Sequence, residues 1–194
     1  MTKREFFKRY LNISEKKILN ELEYSSEVWT VKKKEIIMEE GEVVTDIPFL
    51  MSGILKAYYH DPRGREKVYC FAHCPGDPAA SVNDIYEMVE AMYTVEAIQM
   101  SELCYISLPV IQKLIQEEPE VRQIYETLLS ASIINMTEHE KVISTYSPVE
   151  RYEWFQERYQ NVELSISQKD IASYLNMSPE HLSRIRKNRK LDQK

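Results

Sequence analysis

Hydrophobic and polar positions change their period once along this chain, near residue 108. Before that point, EVWTVKKKEIIMEEG, VVTDIPFLMSG, ILKAYYHDPRG and REKVYCFAHCPG are rich in Val, Ile, Tyr and Phe with partial alternation, the pattern of half-buried strands. They are punctuated by Gly41, Gly53, Gly64 and Gly76, at intervals of 12, 11 and 12 residues. Glycine supplies the positive φ that tight turns need, and antiparallel strands return at about this spacing. YTVEAIQMSELCYISL, Tyr93 to Leu108, adds one or two strands. Glu27 to about Ser107 therefore reads as a compact antiparallel β-barrel or roll.

Helical periodicity follows. A helix opens with proline at PVIQKLIQEEP, from Pro109, and stops at Pro119, where PEVRQIYETLLSASIINMTEHEKVISTYS begins a longer one. Its apolar residues at 121, 124, 125, 128, 129, 133, 136, 142 and 143 cover two faces. A helix apolar on two sides needs two partners, so one face is expected against the roll and the other against a second copy of the chain. Ser147 and Pro148 break this helix, and VERYEWFQERY forms a short amphipathic one with Tyr152, Phe155 and Tyr159 on one side.

The C-terminal stretch SISQKDIASYLNMSPEHLSRIRKNRK reads as two short helices. Ser167 caps the first, whose inward residues are Ile171, Ala172 and Leu175. Asn176 and Met177 make a turn, Ser178 caps the second helix, Pro179 takes its first position, and Leu182 with Ile185 faces back. Such a pair is a helix-turn-helix, whose second helix enters the major groove. Glu180, His181 and Arg184 share the outward N-terminal side, where an arginine can donate two hydrogen bonds to guanine and a glutamate can accept one from cytosine. Arg186, Lys187, Arg189 and Lys190 suit phosphate contact.

Charge sharpens this reading. Residues 184 to 194 hold six Lys or Arg against Asp192, a net of +5, whereas the whole chain is −6. An acidic protein with a basic end is expected to meet a polyanion there, double-stranded DNA in this case. The hydrophobic content is 43% with 29% charged, that of a globular chain, with no apolar run of about 18 residues and no signal-peptide core at MTKREFFKRYLN. Cys70, Cys74 and Cys104 lack paired spacing, which fits reduced thiols in a cytoplasm. Cys70, His73 and Cys74, inside the strand-like KVYCFAHCPG, read as buried cysteines and a packed histidine, and no metal site is expected.

From the glycine-spaced roll through SPVERY to the terminal motif, the chain resembles a bacterial regulator of the Crp/Fnr family, in a Bacteroidetes-type form suggested by SPEHLSRIRK and the stop soon after it. The resemblance implies an α+β fold: a cyclic-nucleotide-binding-like β-roll (a double-stranded β-helix) with N-terminal helices over residues 1–118, a dimerisation helix over 119–146, and a winged helix-turn-helix over 147–194. It implies a cytoplasmic transcription regulator that binds a palindromic operator as a homodimer, with RNA polymerase as a possible further partner, no membrane and no enzyme activity. The family's recognition pattern, serine followed by Arg-Glu and then an Arg after three more residues, is met by Ser178, Glu180 and Arg184, with Pro179 replacing the first arginine. Ser167, Gln168, Ser178, Pro179, Glu180, His181, Arg184, Lys187 and Arg189 thus become the DNA-binding candidates.

The effector site departs from the family. Gly76 and Asp77 resemble the start of a phosphate cassette, with Asp77 a possible acceptor for a ribose hydroxyl, but Ala91 and Met92 stand where its Arg-Ser pair would fall. From Val68 to Gln112 there is no Lys or Arg, and Asp77, Asp84, Glu87 and Glu90 make the loop acidic. A buried phosphate without a cation is disfavoured by desolvation and carboxylate repulsion, so cyclic AMP is not expected as ligand. The candidates for an unknown small-molecule effector are Gly76, Asp77, Met92, Tyr93, Thr94, Met136 and Thr137; no cofactor is expected. An iron–sulfur sensor needs four thiolates and the chain has three cysteines. His60 and His73 alone are weak support for haem and do not make a cupin metal set. The alternative is a β-roll module whose helical C-terminus binds a protein partner.

Overall fold

The computed structural model describes residues 1–79, 90–160 and 162–192. Two helices come first, α1 (Lys3–Tyr10) and α2 (Lys16–Ser25). At the start of α1 the Thr2 hydroxyl accepts from the Glu5 N–H and the Glu5 carboxylate accepts from the Thr2 N–H, satisfying two of the helix's unpaired donors. The strands β1 (Ser26–Val31), β2 (Ile36–Met38), β3 (Asp46–Ser52), β4 (Leu55–His60), β5 (Glu66–Ala72), β6 (Thr94–Ala97) and β7 (Ser101–Ser107) follow. They form two sheets, ordered β1-β7-β3 and β2-β6-β4-β5, the antiparallel roll that the glycine spacing predicts.

The four glycines all have positive φ. At Gly53, φ +114°, an added Cβ would lie 2.7 Å from Ser101 Cα and closer still to its side chain, so the turn between β3 and β4 admits no other residue without displacing β7. Ile47, Leu50, Leu55 and Leu103 are fully buried in the roll, and Phe6, Phe7, Ile18 and Leu19 of the leading helices are equally buried.

After β7 come α3 (Leu108–Glu117), α4 (Pro119–Thr145), α5 (Pro148–Arg158), a 3-10 turn at Glu163–Ser165, α6 (Gln168–Tyr174) and α7 (Pro179–Asp192). Pro119 at the head of α4 and the Ser147 capping box at the head of α5 set these boundaries where the sequence predicts them. No strand follows β7 among the described residues, so the helix-turn-helix has no wing there. No helix among them is long and apolar enough to cross a membrane.

The contacts divide the chain into two compact units: Met1–Ala57 with Phe71–Ile133, and Tyr58–Cys70 with Ile134–Lys194. The division therefore passes through α4, and it assigns the tip of the β4–β5 hairpin to the helical unit. The cysteines differ from the expectation that they are buried. Cys104 is, but Cys70 is half-buried and Cys74 exposed. The reason is local: β5 ends at Ala72, so Cys74 lies in the turn that follows rather than in a strand.

Candidate nucleic-acid interface

In the helical unit the helix pair is built by its caps. Ser167 Oγ accepts from the Asp170 N–H at 3.1 Å and donates to the Asp170 carboxylate at 2.6 Å, starting α6. Ile171, Ala172 and Leu175 are fully buried, as the apolar spacing requires. The chain then turns through Asn176, at φ +51°, a left-handed conformation that asparagine tolerates better than most residues, and the Met177 N–H closes back on the Ala172 carbonyl at 2.9 Å. Ser178 Oγ accepts from the His181 N–H at 3.2 Å, Pro179 takes the first position of α7, and Leu182 and Ile185 are buried against the first helix.

The outward side is open to solvent. Ser167, Gln168, Ser178, Pro179, Glu180, Arg184 and Lys187 are exposed and His181 is half-exposed. Glu180, Arg184 and Lys187 recur at helical spacing and share one face of α7. The Glu180 carboxyl is held below the usual carboxylate range, first by a backbone N–H at the helix start, then by the Ser178 hydroxyl and the Arg184 charge. The face thus offers a fixed carboxylate acceptor and a guanidinium donor one turn apart.

Two of the cations that suited phosphate contact in the sequence are engaged elsewhere. Arg189 donates to Gln156 Oε1 at 2.7 Å and pairs with Glu153 at 3.5 Å. Arg186 lies 3.9 Å from Glu163 and over the Tyr152 ring, 6.0 Å from its centroid. Both strap α7 to α5 and the turn after it, leaving Lys187, among the residues whose exposure is described, as the exposed cation beyond Arg184. The buried side of the unit is aromatic. Tyr174 stacks on His139 at 4.2 Å and 12°, meets Phe155, Tyr159 and Trp154, and its hydroxyl lies 3.2 Å from that of Tyr159. His139 Nε2–H donates to the Tyr174 carbonyl at 3.0 Å, and burial lowers its pKa, so it sits there neutral. Tyr152 and Phe155 are buried on α5 and Tyr159 just past its end, on the side that the sequence predicts; the His139 joint is not visible in it.

The effector candidates fall apart into two groups. Asp77 Oδ2 accepts from the His73 and Cys74 N–H groups, both at 2.9 Å, so this carboxylate shapes a turn rather than waiting for a ribose hydroxyl. Gly76 is buried at φ +98°, with Tyr10 O only 3.1 Å from where a Cβ would stand. Thr94 is buried and its hydroxyl accepts from the Glu40 N–H, Tyr93 is half-buried, and Met92 is exposed. Met136 and Thr137 belong to the helical unit, exposed on α4. Asp84 and Glu87 lie outside the described residues. One charged pair escaped the sequence reading: Lys56 on β4, 6% exposed, sits 3.6 Å from Glu96 on β6. It is a cation within the roll, but its neighbouring carboxylate offsets the charge a phosphate would need. Among the described residues no group of three or more His, Cys, Asp or Glu is placed to hold a metal ion.

Residues 28–118 match the family model for the cyclic nucleotide-binding domain. Among curated proteins, the chain is 25% identical over 166 residues to the anaerobic regulatory protein of Haemophilus influenzae, covering 80% of this chain and 63% of that protein. The chain thus spans less than two thirds of that relative's length, and a relative from this organism lends no support to the finer, Bacteroidetes-type placement. Among solved structures, FixK2 from Bradyrhizobium japonicum superposes with a TM-score of 0.77 at 18% identity, over 87% of this chain and 86% of that one. A protein assigned to the Crp/Fnr family of transcriptional regulators, from Eubacterium rectale, gives 0.76 at 17% identity, over 97% and 88%. The fold is therefore the one these regulators share: an antiparallel roll, a long helix and a terminal helix-turn-helix.

Proposed function

We propose that this chain is a transcription regulator of the Crp/Fnr type that reads a palindromic DNA operator as a homodimer in the cytoplasm. The observation that carries the reading is the exposed Glu180–Arg184–Lys187 face at the N-terminal end of α7, presented by a helix pair whose opposite side is sealed by Ile171, Ala172, Leu175 and Leu182. Arg184 and Glu180 are assigned to base edges, Lys187 to the phosphate backbone and Gln168 to neutral phosphate donation, with Ser167 and Ser178 as the caps that set the two helix starts beside it. The matched cyclic nucleotide-binding domain and a relative named as a regulatory protein support a regulator rather than an enzyme.

Dimerisation is assigned to α4, where Ile133 and Ile134 are each 57% exposed and Met136 51%, a run of apolar surface that a lone helix would not leave in water. Cyclic AMP is not the effector in this reading, because the stretch Val68–Gln112 has no cation and Lys56 is held by Glu96. RNA polymerase is the further partner through which such a regulator acts.

The test is selection of bound sequences from a random DNA pool with the purified protein and no added ligand. An inverted repeat should emerge, with half-sites centred about one helical turn, ~34 Å, apart. Arg184→Ala should then relax preference at one base position of each half-site by ~1–3 kcal/mol, the range of a bidentate arginine contact. A pool that shows no enrichment, or an Arg184→Ala protein that loses affinity equally for every sequence, refutes sequence reading by α7.

A further inference from the structure

The helical unit contains a cleft that the helix-turn-helix alone does not explain. Its volume is about 580 Å³, and it lies between the tip of the β4–β5 hairpin and the turn of the helix pair. From the hairpin it is lined by Arg65, Glu66 and Lys67, and from the helices by Lys169, Ser173 and Ser178. Three cations face one carboxylate. Arg65 is held by Asp61, with N···O distances of 2.7 and 2.8 Å, and Lys169 lies 3.5 Å from Glu66. Lys67 has neither an ion-pair nor a hydrogen-bond partner among the described residues.

The hairpin is fastened to α6 by its backbone. The Val68 N–H donates to Ser173 Oγ at 3.0 Å, and that hydroxyl donates to the Glu66 carbonyl at 3.2 Å. Lys67 lies between these two anchored residues and lines the same cleft as Ser178 and Pro179 at the N-terminal end of α7. Three cations around one carboxylate leave the cleft, among the described residues, with an excess of positive charge, which suits an extended anion.

We propose that the β4–β5 hairpin is a second DNA-binding element, in which Lys67, with Lys169 beside it, contacts the phosphate backbone flanking the bases that α7 reads. This rests on the DNA-binding reading above and extends it to a part of the chain outside the helix-turn-helix. The opposite geometry, a hairpin that masks α7, is disfavoured by the exposure of Ser178, Pro179 and Glu180, which remain in solvent with the hairpin in place.

Fluorescence anisotropy with a selected operator and a scrambled duplex, over a salt series, tests this in the full chain. The variants are Lys67→Gln, Lys67→Glu, Lys67→Arg and Arg184→Ala. Among the described residues the Lys67 side chain has no ion-pair or hydrogen-bond partner to lose, so Lys67→Gln should melt at the unmodified temperature. Lys67→Gln should weaken binding to both duplexes by the same factor and lower the log–log salt slope by ~0.9 per contact, or ~1.8 for two subunits. Lys67→Glu should weaken it further, and Lys67→Arg should restore the slope. Unchanged affinity and slope in Lys67→Gln, with Arg184→Ala still losing preference for the operator, overturn the hairpin contact and leave the reading of α7 intact. Tighter binding by Lys67→Gln or Lys67→Glu identifies the hairpin as a mask and overturns it as well. If the unmodified protein binds neither duplex, the DNA reading falls and takes the hairpin contact with it.

Discussion

Truncating Leu182 to alanine measures how much of α7 is held by packing rather than by charge. Leu182 is fully buried, as are Ile171, Ala172 and Leu175 of the neighbouring helix. The substitution removes three carbons; at ~0.8 kcal/mol each the lost transfer free energy is roughly 2.4 kcal/mol, and the cavity left in a site with rigid neighbours raises the total to about 3 kcal/mol. The remaining ties of α7, Arg186 to Glu163 and Arg189 to Glu153, join side chains 12–45% exposed and are worth ~1 kcal/mol or less each, so they do not offset the loss. The chain has two tryptophans, and the division into units separates them. Trp154 lies against His139 and Tyr174 in the helical unit and Trp29 is in the roll unit. In a Trp29→Phe background, Trp154 fluorescence during urea unfolding reports the helical unit alone. With a slope of ~2 kcal/mol/M, the midpoint should fall by about 1.5 M in Leu182→Ala, and by less than half of that in Leu182→Met, which conserves volume. A loss below ~1 kcal/mol at an unchanged slope would show that the helix pair does not depend on this side chain, and the argument that packing aims α7 would be wrong.

Replacing Leu128 and Leu129 with aspartate should yield a monomer that no longer binds DNA; light scattering that finds the unmodified protein monomeric at micromolar concentration removes the dimer. Cyclic AMP and cyclic GMP should leave the melting temperature unchanged, and micromolar binding of either by calorimetry would contradict the cation argument. Burial holds the pKa of His139 below its ordinary value of 6.5, so on acidification the unfolded chain takes up this proton first. Stability of the helical unit, fully present above the unfolded pKa, should therefore decline as pH falls through about 6.5 toward the folded value. The decline should flatten in His139→Gln, and an identical pH profile in the two proteins would dismiss the histidine as its source.

The roll was legible because its signals are local: positive-φ glycines at a near-constant interval and strands of β-branched and aromatic residues need no knowledge of what they pack against. The helix pair was legible for the same reason, since Ser167, Ser178 and Pro179 are start signals wherever they occur before an apolar period. The roles of individual cations were not. Arg186, Lys187 and Arg189 look alike in the sequence, and only the placement of Glu153, Gln156 and Glu163 on or after α5 separates the two that strap the helix from the one that faces solvent. Lys56, Lys67 and His139 were missed because each acquires its meaning from a residue at least 35 positions away: Glu96 for Lys56, Ser173 beside Lys67, Tyr174 for His139. Cys74 was misread because strand β5 ends two residues before it.

The turn before β2 has an engineering consequence. Every glycine of this chain already occupies a left-handed backbone position, so the common route to a more stable protein, exchanging a dispensable glycine for alanine, is closed. The opposite exchange is open at Lys34, an exposed residue held at φ +69° while its N–H donates to the Ala97 carbonyl at 2.7 Å. A side chain there bears a steric cost of ~1 kcal/mol that glycine would not, at the expense of a looser unfolded chain. The tolerance of this fold to mutation is thus lopsided: a residue with a Cβ can be removed where the backbone winds left-handed, but none can be added.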